Sequence, residues 1–191
     1  MPHLTQKEIN RIGFKSIGKD VKISGKASFH NAKNISIGDY SRIDDFCVLS
    51  AGEGTIEIGN YVHIALYVSL IGKGKIKICD FANFSSRIAV YSSNDDYSGE
   101  YMTNPTVDEK FTNVSHADVY IGKHVIIGTG SIILPGVVIE EGVSIGSLSL
   151  VKNNCKSFGI YAGIPAKFIK NRSKKLLELE KDFLKEKGSS K

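Results

Sequence analysis

Residues 121–151 read IGKHVIIGTGSIILPGVVIEEGVSIGSLSLV, and the spacing of their apolar residues decides the fold. Ile121, Ile127, Ile133, Ile139, Ile145 and Val151 recur every six residues. Two positions before most of them stands another small or apolar residue: Val125, Ser131, Val137, Val143. Strand side chains alternate faces with period two, so each such pair points the same way, inward. Gly122, Gly128 and Gly146 directly follow a marker, where the chain can turn without a Cβ penalty. The 3.6-residue period of an amphipathic helix is absent.

Upstream the stride continues as Ile17, Ile23, Phe29, then Ile37, Ile43, Leu49, then Ile58, Ile64, Leu70, then Ile78, Phe84, Val90. Three strides make a unit of about eighteen residues, usually closed by a short insertion. A short strand and a corner, three times per unit, make a triangular coil. Stacked coils pair their backbones as parallel ladders around one continuous core. The expectation is therefore all-β: a parallel β-helix of about six coils, starting near residues 17, 37, 58, 78, 121 and 139. One interval breaks the stride. Residues 91–120 are polar and rich in turn formers. A long excursion from a rigid scaffold is usually functional.

Thr5 and Glu8 form a capping-box pattern before INRIGF, and Ser173 precedes KKLLELEKDFLKEK, with Leu176, Leu179, Phe183 and Leu184 on one helical face. Both read as short helices that cap or flank the stack. The chain is expected to form one domain: a helical segment over 1–16, the β-helix over 17–156, and a tail with a helix over 157–191.

Apolar residues make up 41% of the chain and charged residues 24%, ordinary values for a globular protein. No apolar run approaches the roughly 20 residues that span a membrane. The N-terminus lacks a secretory pattern. Cys47, Cys79 and Cys155 are far apart, which argues against a zinc knuckle and fits a reducing compartment. Cytoplasm is the expected location. The net charge of +5 gathers at Lys167, Lys170, Arg172, Lys174 and Lys175 with Phe168 the one aromatic among them, too few for a stacking platform, so nucleic acid is not an expected partner.

The strides [IVL]-G-x-x-[SVA]-x, the excursion after coil four and YAGIPAKFIKNR over 161–172 together resemble the hexapeptide-repeat acyltransferases. The galactoside, maltose and cell-surface-polysaccharide acetyltransferases are the most similar branch, over roughly residues 17 to 172. The resemblance implies a left-handed helix, a homotrimer, active sites in clefts between subunits, and acetyl-coenzyme A as donor. It carries the donor contacts to Thr129, Ser147, Lys152, Ala162, Lys167 and Lys170. Lysines suit the cofactor's phosphates as mobile point charges. The implied reaction is acetyl transfer to a sugar hydroxyl in O-antigen or capsule synthesis. The alternative is N-acetylation of an amino sugar on a nucleotide carrier. Two remoter readings are a zinc hydratase, which would need His63, His116 and His124 to converge, and a non-catalytic binding scaffold.

Attack by a hydroxyl on a thioester requires a base, usually histidine. The family places it in the excursion just after coil four, where this chain has Asp95. His3, His30 and His124 read as surface residues. His116, late in the excursion, is a second candidate. His63 points outward, with Asn83 at the same stride position one coil higher, about 4.8 Å away in backbone spacing. The expectation is that His63 is the base, oriented by Asp95 or Asp96 in one shared cleft. A backbone N–H or Asn83 would meet the oxyanion. No metal is expected. Tyr91, Tyr97 and Tyr101 are candidates to stack on a sugar ring.

Overall fold

The inward residues of every stride meet in one column of aliphatic and aromatic side chains. The computed structural model describes residues 3–189. The first face of the triangle pairs Ser16–Ile17, Ile35–Ile37, Ile56–Ile58, Ile76–Ile78, Val119–Ile121 and Val138–Ile139 in that order. The second pairs Lys22–Ile23, Arg42–Ile43, His63–Ile64, Asn83–Phe84, Ile126–Ile127 and Ser144–Ile145. The third pairs Ser28–His30, Val48–Ala51, Ser69–Gly72, Ala89–Tyr91, Ile132–Ile133 and Leu150–Val151. These ladders are parallel and in register, marker against marker: Ile23 on Ile43, Ile43 on Ile64, Ile64 on Phe84, Phe84 on Ile127. Those residues are completely buried.

Six coils form as expected, and the second face carries one more rung. Gly159–Ala162 pairs in parallel with Ser144–Ile145, then in antiparallel with Lys167–Asn171. The Ala-Gly-x-Pro-Ala-Lys segment is thus the turn of a hairpin that covers the last open edge, where unpaired backbone would invite association. At the other end, α1 (Gln6–Ile12) buries Ile9, and Thr5 and Glu8 form the capping box.

The corners are less legible in the sequence. Tight stacking explains the glycines that follow first-face markers: a Cβ on Gly59 would lie 2.3 Å from Asp80 Oδ1 and 2.8 Å from Asp80 N. Two residues further on, the chain adopts left-handed φ at Tyr40, Tyr61, Phe81 and His124. Such conformations cost on the order of 1–3 kcal/mol each outside glycine. Stacking offsets that cost, because the rings form a ladder up the first corner. Tyr40 lies 4.8 Å from Tyr61, Tyr61 5.0 Å from Phe81, and Phe81 5.0 Å from His124, centroid to centroid.

The C-terminal helix α2 (Leu176–Ser189) runs along this ladder. Phe183 meets Tyr61 and Phe81 edge-on, and Glu180 accepts from Lys123 and from His124 (2.8 Å). Arg172 donates to the His124 and Gly142 carbonyls at 2.9 and 3.0 Å, at the rung where Gly142 supplies no side chain. The expected apolar helix face is only partly used, since Leu179 and Leu184 stay exposed. His124, read from sequence as a surface residue, is a largely buried member of the ladder.

The excursion leaves the third face after Tyr91 and returns to the first at Val119. It therefore springs from the corner between the third and first faces, opposite the second face. Its neck is a short antiparallel pair, Ser93–Asn94 with Ser115–His116.

Candidate active site

Outward residues of the second face form a polar row. Register places Arg42, His63 and Asn83 on successive rungs, as the stride predicts. His63 Nε2 lies 3.0 Å from Asp44 Oδ2, and Arg42 Nε donates to Asp44 Oδ1 at 2.6 Å. Asp44 is buried, its side chain 4% exposed. Burial alone would raise its carboxyl, but the bonds from His63 and Arg42 outweigh this and hold it below the usual carboxylate range. An ionised Asp44 can only accept, so His63 carries a proton on Nε2. Its proton-accepting atom is then Nδ1, which faces the Asn83 side-chain amide at 3.2 Å. Asn83 can offer either its oxygen or its NH₂ to that nitrogen by turning the amide.

The expected partnership of His63 with Asp95 or Asp96 is not formed within one chain; Asp44 orients His63 instead. The reason is topological, because the excursion leaves from the corner opposite the second face. Asp96 accepts from Ser98 N at 2.8 Å and from Asn113 Nδ2 at 3.2 Å. The Ser98 hydroxyl and backbone N–H, with Asn113, hold its carboxyl below the ordinary range. Asp95 is exposed near the tip side of the neck. His116 bonds through Nδ1 to Ser93 Oγ at 2.8 Å and so ties the neck together. His63, His116 and His124 lie on the second face, the excursion and the first corner, so they do not come together within one chain.

Two residues past the polar row, Asp44, Ala65 and Ser85 occupy successive rungs, followed by the second corner with Phe46, Tyr67 and Arg87. The donor-side residues continue this corner upward. Thr129 and Ser147 are exposed on adjacent rungs, with the Leu148 N–H donating to the Thr129 carbonyl at 2.8 Å. Ala162 follows on the added rung, packed over Gly146, and pairs with Lys167. Lys152 extends from the end of the third face, and Lys170 pairs with Ile160 further along the hairpin. Asp44 and Arg42 were missed in the sequence. The stride aligns them beneath His63, and reading outward positions coil by coil would have found them.

Comparison with known proteins sharpens this picture. A family model for bacterial transferase hexapeptide, six repeats, matches residues 118–153. The chain is 58% identical over 183 residues, 96% of its length and 95% of the relative's, to the dTDP-4-amino-4,6-dideoxy-D-glucose acyltransferase of Escherichia coli. It belongs to the hexapeptide-repeat acyltransferases. The solved structure of AntD, an N-acyltransferase from Bacillus cereus, in complex with dTDP and 3-hydroxybutyryl-CoA is 48% identical. It superposes with a TM-score of 0.91, covering 97% of this chain and 98% of AntD. As in the family, the β-helix is left-handed, the protein is an acyltransferase, and its acyl donor is an acyl-coenzyme A. Other AntD structures carry a substitution at an aspartate, or at a serine ten residues before it. Two of the serine variants hold dTDP-4-amino-4,6-dideoxyglucose and coenzyme A.

Proposed function

We propose that this acyltransferase moves an acyl group from acyl-coenzyme A to the 4-amino group of a dTDP-linked 4-amino-4,6-dideoxyhexose. The observation that carries this reading is the 58% identity, across 96% of the chain, to an E. coli enzyme named for that acceptor. It favours the alternative expectation, an amino sugar on a nucleotide carrier, over the first, a sugar hydroxyl.

The change of nucleophile accounts for Asp95 at the family's histidine position. A sugar amine is largely an ammonium near neutral pH, and a carboxylate attracts it; a hydroxyl offers no charge to attract. Ser85 with Asp95 and Ser86 with Asp96 both reproduce the ten-residue spacing of the AntD positions. Ser85 shares the outward row with Asp44, which favours the first pair. Asp95 holds the ammonium, and His63, oriented by Asp44, takes the proton at Nδ1 as Asn83 turns its amide. The neutral amine attacks the thioester carbon, and a backbone N–H or Asn83 meets the oxyanion. The thiolate of coenzyme A departs and takes up the proton that the attacking nitrogen sheds as the amide forms. The donor lies along Thr129, Ser147 and Ala162, with Lys152, Lys167 and Lys170 placed for its phosphates. Because the excursion faces away from the polar row, Asp95 of one copy meets His63 of another, in a homotrimer.

Thiol release from acetyl-coenzyme A tests the reading, with dTDP-4-amino-4,6-dideoxyglucose, dTDP-glucose and free glycosides as acceptors. Release with the amino sugar alone is expected. Release with free glycosides, and none with the nucleotide amino sugar, would overturn it.

A further inference from the structure

The second corner carries a cation that its own fold leaves uncompensated. Phe46 and Tyr67 stack at 5.0 Å with their edges toward solvent, 43% and 50% exposed. Lys26 lies below, its Nζ 5.2 Å from the Phe46 ring centre, and Arg87 lies above, its Cζ 5.7 Å from that of Tyr67. The other cations of this region have carboxylates: Lys26 pairs with Asp45 at 3.2 Å and Arg42 with Asp44 at 2.6 Å. Arg87 makes no ion pair among the described residues. The rung above it is Gly130, over which Leu148 leans, so nothing there can neutralise it either.

Position decides what such a group could meet. Arg87 lies two residues past Ser85, at the top of the acceptor-side row, and directly beneath Gly130 and Thr129 of the donor side. Its left-handed φ of 60° sits in the middle of a ladder, which fixes the direction of the side chain. A guanidinium stacked on a ring presents its donor edge outward as a rigid fork, the geometry that suits phosphate oxygens.

We infer that Arg87 is the anchor for the diphosphate of the acceptor nucleotide. This rests on the proposed function above. Both substrates contain a diphosphate, and connectivity separates them. In the acceptor, the diphosphate is bonded to the same sugar ring that bears the reacting amine. In coenzyme A, the whole pantetheine arm separates it from the thioester. A cation at the junction of the two sites is therefore near the acceptor's diphosphate and far from the donor's. Tyr67 and Phe46 act as the positioning stack that holds the guanidinium outward.

Isothermal titration of dTDP and of coenzyme A into the wild-type protein and into Arg87→Met and Arg87→Lys tests this. Methionine keeps the packing on Tyr67 and loses the charge. Arg87→Met should bind dTDP about 10- to 100-fold more weakly and coenzyme A unchanged, with Arg87→Lys in between. Wild-type protein that fails to bind dTDP would sink the proposed function itself. Wild-type binding of dTDP with undiminished binding by Arg87→Met overturns the Arg87 assignment alone. So does a loss confined to coenzyme A, or an equal loss for both ligands.

Discussion

Asp44→Asn changes one atom pair and should disable the proposed base while sparing the fold. Asp44 uses its two oxygens separately, Oδ1 for Arg42 Nε at 2.6 Å and Oδ2 for His63 Nε2 at 3.0 Å. Asparagine has one oxygen, so one partner must face an NH₂. The arginine cannot lose its protons, so the oxygen goes to Arg42 and the NH₂ turns to His63. His63 must then offer a lone pair at Nε2 and carry its proton on Nδ1, the tautomer opposite to the one the reaction needs. General-base catalysis contributes typically 10²–10⁴-fold, so kcat should fall by about 10²-fold or more. KM for the nucleotide sugar should move little, because the Asp44 side chain is only 4% exposed and both its oxygens are taken by Arg42 and His63. The assay is initial-rate thiol release, with circular dichroism to show that the β-helix persists. A folded Asp44→Asn enzyme with kcat within about threefold of wild type would refute the assignment of Nδ1 as proton acceptor.

His63→Ala should cost a similar 10²–10⁴-fold in turnover; near-normal turnover, with Asp95→Asn inactive, would assign proton removal to the carboxylate alone. Phe84 is completely buried at mid-stack, so Phe84→Ala should lower unfolding free energy by about 3–5 kcal/mol in a denaturant titration. Burial would raise the Glu180 carboxyl, but the bonds from His124 and Lys123 outweigh it and hold it below its ordinary value. A depressed folded pKa contributes stability that is full above the unfolded value, about 4.5, and is lost as pH falls through the folded one. Protection of the α2 amides relative to their intrinsic exchange rates should therefore fall as pH drops below about 4.5 in wild type. Glu180→Gln should flatten that dependence; an acid-insensitive wild-type helix would refute the Glu180 contribution.

The stride made the fold legible because a coil admits only one inward pattern. Every marker from Ile37 to Val151 is buried, and slipping the register by one residue would expose the whole column. Outward positions carry no such constraint. The period put His63 beside Asn83, but chemistry at those positions depends on neighbours two residues along and one coil away, where Asp44 waited unread. The excursion obeyed no period at all. Its residues could be assigned a role, but its direction is set by which corner it leaves. That corner faces away from His63, so Asp95 and His63 fell together in a sequence reading and apart in the chain. Asp95 departs from the family's histidine in the sequence, but its residue type alone does not say what it would meet, and the sequence reading pairs it with His63.

An amine nucleophile leaves an amide, and a hydroxyl leaves an ester. Labelled acetyl-coenzyme A, incubated with enzyme and dTDP-4-amino-4,6-dideoxyglucose, should give a labelled nucleotide sugar that survives alkaline hydroxylamine, because an amide resists it and an oxygen ester does not. Label released by hydroxylamine, or transferred equally well to dTDP-glucose, would contradict the account.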